Sequence, residues 1–273
     1  MTDLDASPLG HATTYAEHYD PGLLFPVERA PLRAELGLPA ALPFRGVDLW
    51  TAYELSWLGS AGRPQVAIAT FAVPASSPRL LESKSVKLYL TAFNQTRFSS
   101  ETEVAAAIER DMSGAAGAAV GVTLTLPQGF PALPRAELSG DCLDVLPIDV
   151  DTFEPDPQAL AVEGPTVAEV LYTRLFRSLC PVTGQPDYAS VQLAYRGARI
   201  RHDGLLRYLV SFRRHQGFHE HCVERIFADV WRRCAPESLS VYARFMRRGG
   251  IDINPYRTSG EGPPPSSART ARQ

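Results

Sequence analysis

Cysteine is scarce in this chain. The 273 residues contain four, Cys142, Cys180, Cys222 and Cys234, and none belongs to a Cys-x-x-Cys pair. That usage predicts free thiols and a cytoplasmic protein. No apolar segment follows a basic stretch at the amino end, as a secretory signal requires. No run is long and apolar enough to span a bilayer, so no membrane partner is expected. Charge of one sign is not in excess either. A formal net charge of -3 supplies no overall attraction for nucleic acid or anionic lipid, although Arg244, Arg247 and Arg248 form a local basic cluster. The glycine-rich phosphate loop that usually opens a doubly wound parallel fold is missing too, so a nicotinamide cofactor must bind in some other way.

With 45% apolar residues the chain can bury a substantial core, as one large domain or two smaller ones. The first forty or so residues show short, broken periodicity and predict an irregular arm over residues 1–45. The closing stretch TSGEGPPPSSARTARQ has the composition of a mobile tail, placed at 259–273. Between them lie two imperfect copies of one pattern. ELSWLGSAGRPQVAIATF reads as strand, turn and strand, and LFRSLCPVTGQPDYASVQLAY repeats that order, with Gly62-Arg63-Pro64 matching Gly184-Gln185-Pro186. In the second copy Val191, Leu193 and Tyr195 alternate with smaller or polar residues at the period of a sheet. KLYLTAFNQTRF is echoed by LRYLVSFRRHQGF. An amphipathic helix follows in each copy, EVAAAIERDM and HCVERIFADVWRRC, and then strands such as VGVTLTL and SVYARFM. The order strand-strand-helix-helix-strand-strand, met twice, predicts an α+β protein of antiparallel sheets with helices packed on one face.

Chemistry concentrates where the copies differ. Cys180, ahead of the turn PVTGQP, and Asp187, just beyond it, belong to the second copy alone, and the turn could bring thiol and carboxylate together. A small buried hydrophobe is the other reading of an isolated cysteine. The second copy also carries Phe218-His219-Glu220 where the first has Phe98-Ser99-Ser100, and the first carries Glu82-Ser83-Lys84-Ser85 where the second has Arg201-His202-Asp203-Gly204. Division of labour between two once-identical modules and neutral surface drift both fit these differences. A metal at His219, His221 and Cys222 is disfavoured, because metal-binding histidines on one helix usually sit four apart. His202 and His215 are expected to face solvent, and Cys142, Cys222 and Cys234 to be packing residues.

Four motifs, ESKSVKLYLTAFNQTRF, SLCPVTGQPDYASVQLAYRG, LLRYLVSFRRHQGFHEHCVERIF and YARFMRRGGIDINPYR, together resemble the NADPH-dependent 7-cyano-7-deazaguanine reductases, the nitrile reductases of queuosine biosynthesis, in their longer two-module form. The resemblance runs from about Tyr15 to about Arg257. Val86 departs from it, since relatives often carry Phe after Glu-Ser-Lys-Ser.

The resemblance implies two tandem tunnelling-fold modules, 46–155 and 156–258, and reduction of the nitrile of 7-cyano-7-deazaguanine to an amine with two NADPH. Cys180 takes the place of the nucleophile that forms a covalent thioimidate, and Asp187 that of the proton donor. Leu81, Glu82, Ser83, His219 and Glu220 fall at substrate-binding positions, with a proton-shuttling role for His219. Ser83, Lys84, Arg248 and Gly249 match cofactor-contacting positions. A homodimer is expected, with no direct nucleic-acid partner. Two rival readings stand beside this one: nitrile hydrolysis through Cys180, Glu82 and Lys84, and a catalytically silent purine-binding or RNA-binding module.

Overall fold

In the computed structural model, which describes residues 16, 18–262 and 266–273, both copies of the repeat open on a long antiparallel hairpin. In the first, β2 (Arg45–Leu58) pairs with β3 (Pro64–Pro74); in the second, β7 (Val162–Leu179) pairs with β8 (Pro186–Ile200). Each hairpin has a β-bulge at the corresponding place, between Ala52 and Leu55 and between Thr173 and Phe176. One extra residue switches the inward phase of the strand. Trp50 and Ala52 are buried before the first bulge and Leu55 and Trp57 after it, while Leu171 and Thr173 give way to Phe176 and Ser178 at the second.

Two helices follow each hairpin. α2 (Ser83–Thr91) and α3 (Glu101–Ala116) in the first copy have their counterparts in α4 (His202–Val210) and α5 (His219–Cys234), with matching lengths of 9 and 16 residues. Ser100 caps α3 by accepting from Glu103 N–H, and Gly117 closes it in the left-handed conformation at φ +73°. Ala235 closes α5 in the same region at φ +44°, without glycine's freedom.

The chain gathers into two units, one of the described residues up to Leu32 with 47–134 and 247–253, the other of 33–46, 135–246 and 254–273. In the first unit β5 (Gly121–Thr125) extends the hairpin antiparallel to β3, and β1 (Pro26–Glu28) pairs with β4 (Arg79–Leu81). Its core packs Trp50, Leu55, Trp57 and Phe71 against Val86, Tyr89 and Phe93 of the α2 region and Val104 and Ile108 of α3. In the second unit β9 (Ser238–Phe245) pairs antiparallel with β8 and with β10 (Ile251–Thr258), and Val191, Leu193, Val241 and Ala243 pack against Leu205, Leu209, Val223, Ile226 and Phe227. Each fully buried Leu, Ile or Phe of this kind contributes about 1.5–3 kcal/mol by leaving water. Antiparallel sheets covered by helices are thus the architecture of both units. No helix among the described residues is long and apolar enough to cross a membrane.

Four features lie outside what the sequence pattern announces. The sheet is not wholly antiparallel, because the two-residue strand β6 (Asp141–Cys142) pairs with β7 in parallel after a long irregular connection. The amino-terminal arm contains β1 and α1 (Arg29–Glu35), anchored by buried Arg29, which donates to Asp48 (2.5 Å) and Ser77 (3.2 Å); such polar anchors leave no hydrophobic period. The two units are interleaved along the chain, with 135–246 gathered in the second. In the carboxyl-terminal tail, Ala268, Thr270 and Gln273 are buried, because side-chain amide and guanidinium groups there find hydrogen-bond partners that its composition does not announce.

Candidate active site

In the second unit the turn after β7 is tight. Cys180 N–H donates to Gln185 O (2.9 Å) and Cys180 O accepts from Gly184 N–H (3.1 Å), with Gly184 at φ +66°, a conformation glycine adopts without cost. The ladder re-forms at Leu179–Pro186 and Ser178–Asp187, so Asp187 stands two residues inside the hairpin mouth. Leu179 N–H also donates to His215 O, and Gly217 N–H to Leu179 O, which draws the start of α5 alongside. There the first helical residue, His219, sets Nε2 3.3 Å from Asp187 Oδ2. Cys180, Asp187, His219 and Glu220 are all buried, at 2%, 1%, 7% and 2% exposure. A thiol and a carboxylate–imidazole pair held out of bulk water can perform nucleophilic addition coupled to proton transfer.

Cys222, one turn into α5, is a different kind of thiol. Burial pushes it up to about 12, against the pull of a hydrogen bond with Ser178, so it stays protonated. Cys234 is buried as well, and Cys142 half-buried. His215 contradicts the expectation of a solvent-facing side chain. Its Nε2 is buried, its ring packs edge-on to Phe212 (5.5 Å), and burial first, then the charges of Arg225 and His221, lower it to about 4. His202 is half-buried and 3.1 Å from Glu169. Among the described residues no group of three or more His, Cys, Asp or Glu is placed to hold a metal ion.

In the first unit Glu82 is the N-cap of α2, with its carboxylate accepting from Lys84 N–H (2.7 Å) and Ser85 N–H (2.8 Å). It is wholly buried, and burial raises its pKa against those two bonds and the charges of Lys87 and Lys84. Two backbone donors fix the plane of the carboxylate and leave each oxygen a second lone pair. Leu81 beside it is buried, and Ser83 and Lys84 are half-buried. Arg248 opens a two-residue hairpin turn: its N–H donates to Ile251 O (2.9 Å), its O accepts from Ile251 N–H (3.2 Å), and Gly249 and Gly250 lie at φ +57° and +80°. Both central residues have positive φ, as such turns require. A Cβ on Gly249 would come within 3.1 Å of the Lys87 side chain, so Lys87 of α2 lies against this turn.

A family profile described as "Nitrile reductase, 7-cyano-7-deazaguanine-reductase N-term" matches residues 15–124, and one described as "QueF-like protein" matches 186–263. The chain is 57% identical over 271 residues to the "NADPH-dependent 7-cyano-7-deazaguanine reductase" of Bordetella pertussis, covering 99% of each chain. It is 56% identical over 270 residues to the protein of that name from Burkholderia multivorans, covering 98% of each. The chain belongs to the NADPH-dependent 7-cyano-7-deazaguanine reductase family. A solved structure titled "Crystal structure of the archaeosine synthase QueF-Like in the apo form" covers 37% of the chain at 19% identity and a TM-score of 0.32, an overlap too slight to bear on the fold.

In this member of the reductase family the first copy has its own counterpart of the Cys180 turn. Gly59 N–H donates to Arg63 O and Gly62 N–H to Gly59 O, Gln65 stands opposite Trp57 as Asp187 does opposite Ser178, and Glu101 begins α3 as His219 begins α5. A cavity of about 390 Å³ lies there, lined by Gly59, Arg63, Gln65, Phe98 and Glu101 among others. With Gly59 in place of the thiol and Gln65 in place of the acid, it lacks the cysteine and aspartate of the second copy's turn. Sequence reading missed two residues of the sites. Lys87 follows Lys84 at the i, i+3 spacing that puts both on one helix face, a signal that was available. Phe245, whose ring stacks on His219, lies 26 residues downstream in the sequence, and nothing in its local pattern marks that contact.

Proposed function

We propose that this chain reduces the nitrile of 7-cyano-7-deazaguanine to the primary amine with two NADPH, through a covalent thioimidate on Cys180, in queuosine biosynthesis. The reading rests above all on the second-unit cluster, a buried thiol at the mouth of the hairpin whose next strand carries the Asp187–His219 pair. The Cys180 thiolate adds to the nitrile carbon, forming a C–S bond and breaking one π bond of the nitrile, whose electron pair goes to nitrogen. Asp187, as the acid, delivers the proton that nitrogen takes up, and His219, in contact with it, relays protons. A bare nitrile is a poor hydride acceptor, whereas the protonated C=N of a thioimidate is an activated one. When the C–S bond later breaks, its electron pair stays on sulfur and Cys180 is restored as thiolate.

Glu82, with Leu81 and Ser83 beside it, and Glu220 next to His219 are assigned to the substrate. A carboxylate accepts two parallel hydrogen bonds from the ring N–H and amino group of a deazaguanine edge. The residues of α2 and of the Arg248–Ile251 turn suit NADPH. Lys84 and Arg248 offer cations for its phosphates, Lys87 lies against the turn, and Gly249 lets the backbone approach. Bound there in succession, two NADPH molecules would supply one hydride each.

The copies at 46–155 and 156–258 are read as tandem tunnelling-fold modules, supported by their shared element order and paired bulges. The protein is taken to act in the cytoplasm, as a homo-oligomer of at least two chains, on a free base with no direct nucleic-acid partner. The test is intact-protein mass spectrometry after mixing with the nitrile and no NADPH. The reading expects a gain of one whole substrate molecule, mapped to Cys180 and lost in Cys180→Ala; an adduct on another cysteine, or full turnover by Cys180→Ala, rejects it.

A further inference from the structure

Phe245 ends β9, and its ring lies flat against the His219 imidazole, with centroids 3.8 Å apart and planes within 1°. That stack fixes the plane of the imidazole, in which Nε2 lies 3.3 Å from Asp187 Oδ2. What holds Phe245 itself is unusual for a strand residue. The pairing of β10 with β9 runs from Thr258–Ser240 to Tyr256–Tyr242. Three residues further on, Phe245 N–H donates to the side-chain oxygen of Asn254 (3.2 Å), and Phe245 O accepts from Gln273 Nε2 (2.9 Å). Gln273 Nε2 also donates to Asn254 Oδ1 (2.8 Å), while Gln273 Oε1 accepts from Arg244 Nε (2.9 Å) and from Thr270 N–H (3.1 Å).

All these groups are buried: Gln273 is 8% exposed, Arg244 3% and Asn254 1%. Water is poorly placed to replace a lost partner, so removing the amide strands the Phe245 carbonyl. The segment that presents Gln273 is itself tied down. Arg244 Nη2 donates to Ser267 O (3.2 Å), Ala136 N–H to Arg269 O (3.1 Å), and Arg272 Nη1 to Arg174 O (2.6 Å).

We infer that residues 266–273 are a positioning element for the Cys180 site: Gln273 fixes the main chain of Phe245, and Phe245 fixes the imidazole of His219. The inference rests on the proposed nitrile reduction for its kinetic consequence, and on geometry alone for its structural one. Proton transfer tolerates little misplacement, so the contact reaches kcat through the placement of His219.

The test uses the full chain carrying Gln273→Ala or Gln273→Glu. Glutamate keeps the acceptor facing Arg244 and Thr270 but loses both donors, so it separates the hold on Phe245 from simple anchoring of the segment. Both variants should lower kcat about tenfold while the KM for the nitrile stays within about twofold, as expected when only positioning is lost. Phe245→Leu should give a similar loss, and adding Gln273→Ala to it should change little, because the two act in series. In NMR spectra the ring protons of His219, shifted upfield by lying over the face of Phe245, should move downfield in Gln273→Ala. That readout needs no turnover, so it decides the matter even if the chain proves not to reduce the nitrile. Wild-type kcat in Gln273→Glu, additive losses, or His219 resonances that stay put in the folded protein would overturn the inference, including where the only effect is a lower urea midpoint.

Discussion

Asp187 and His219 meet at 3.3 Å in a place where both are under a tenth exposed, so each governs what the other can do. Asp187→Asn keeps the shape and a hydrogen-bonding group but cannot deliver a carboxylic proton. Direct titration should therefore find nitrile affinity within about threefold of wild type, while kcat falls by about 10²–10⁴. An equal loss of affinity would make Asp187 a binding residue. The other thiols offer a contrast. Burial holds Cys222 up near 12 and Cys234 up near 11, so at pH 8 neither forms thiolate. Iodoacetamide followed by peptide mapping of the native protein should leave both unmodified, and rapid labelling of either would show a more open α5. At this scale the turn between Cys180 and Asp187 was legible because it is contiguous in sequence. Phe245 and Gln273 were not, since stacking and amide contacts between distant segments have no period.

Helix ends and strand irregularities set where these residues stand. Ala235 ends α5 at φ +44°, where an L side chain is strained, so Ala235→Gly should raise stability by about 0.5–1 kcal/mol, less than the full strain because glycine also frees the unfolded chain. The check is the urea midpoint with an unchanged m-value; a lower midpoint would mean the alanine methyl is worth more than the strain it causes. His215, on the stretch leading into α5, gives a pH signature. Its folded value near 4 lies below the ordinary 6.5, so as pH falls the unfolded chain takes up the proton first. Its contribution is complete above about 6.5 and is lost as pH falls toward 4. Wild type should therefore lose urea stability between pH 7 and 4.5 more steeply than His215→Gln; parallel curves would place the ring in water. Periodicity revealed the hairpins and helices of both copies, but not the bulges that flip the inward phase, nor the buried ion pair that turns part of the arm into helix. A bulge is one residue of excess, invisible until the partner strand's register is known.

For the molecule as a whole, the strongest statement made by the sequence was its repetition, because two copies of one element order restrict the topology more than any single strand does. The division into units was less legible. Segments 33–46 and 247–253 join units distant from their neighbours in sequence, and such exchanges depend on which face offers burial. The asymmetry of the copies carries the functional claim: Cys180 and Asp187 in one, Gly59 and Gln65 at the same places in the other, and Lys87 against the Gly249 turn in the first. Hydrolysis is the rival outcome of the chemistry proposed at Cys180, so product and cofactor stoichiometry together test the account most directly. The purified chain is incubated with 7-cyano-7-deazaguanine and NADPH, products are resolved by liquid chromatography and mass spectrometry, and NADPH loss is followed at the same time. Two NADPH consumed for each 7-aminomethyl-7-deazaguanine formed, and no product without NADPH, is the predicted result; an amide or carboxylic acid formed with no loss of NADPH would contradict it.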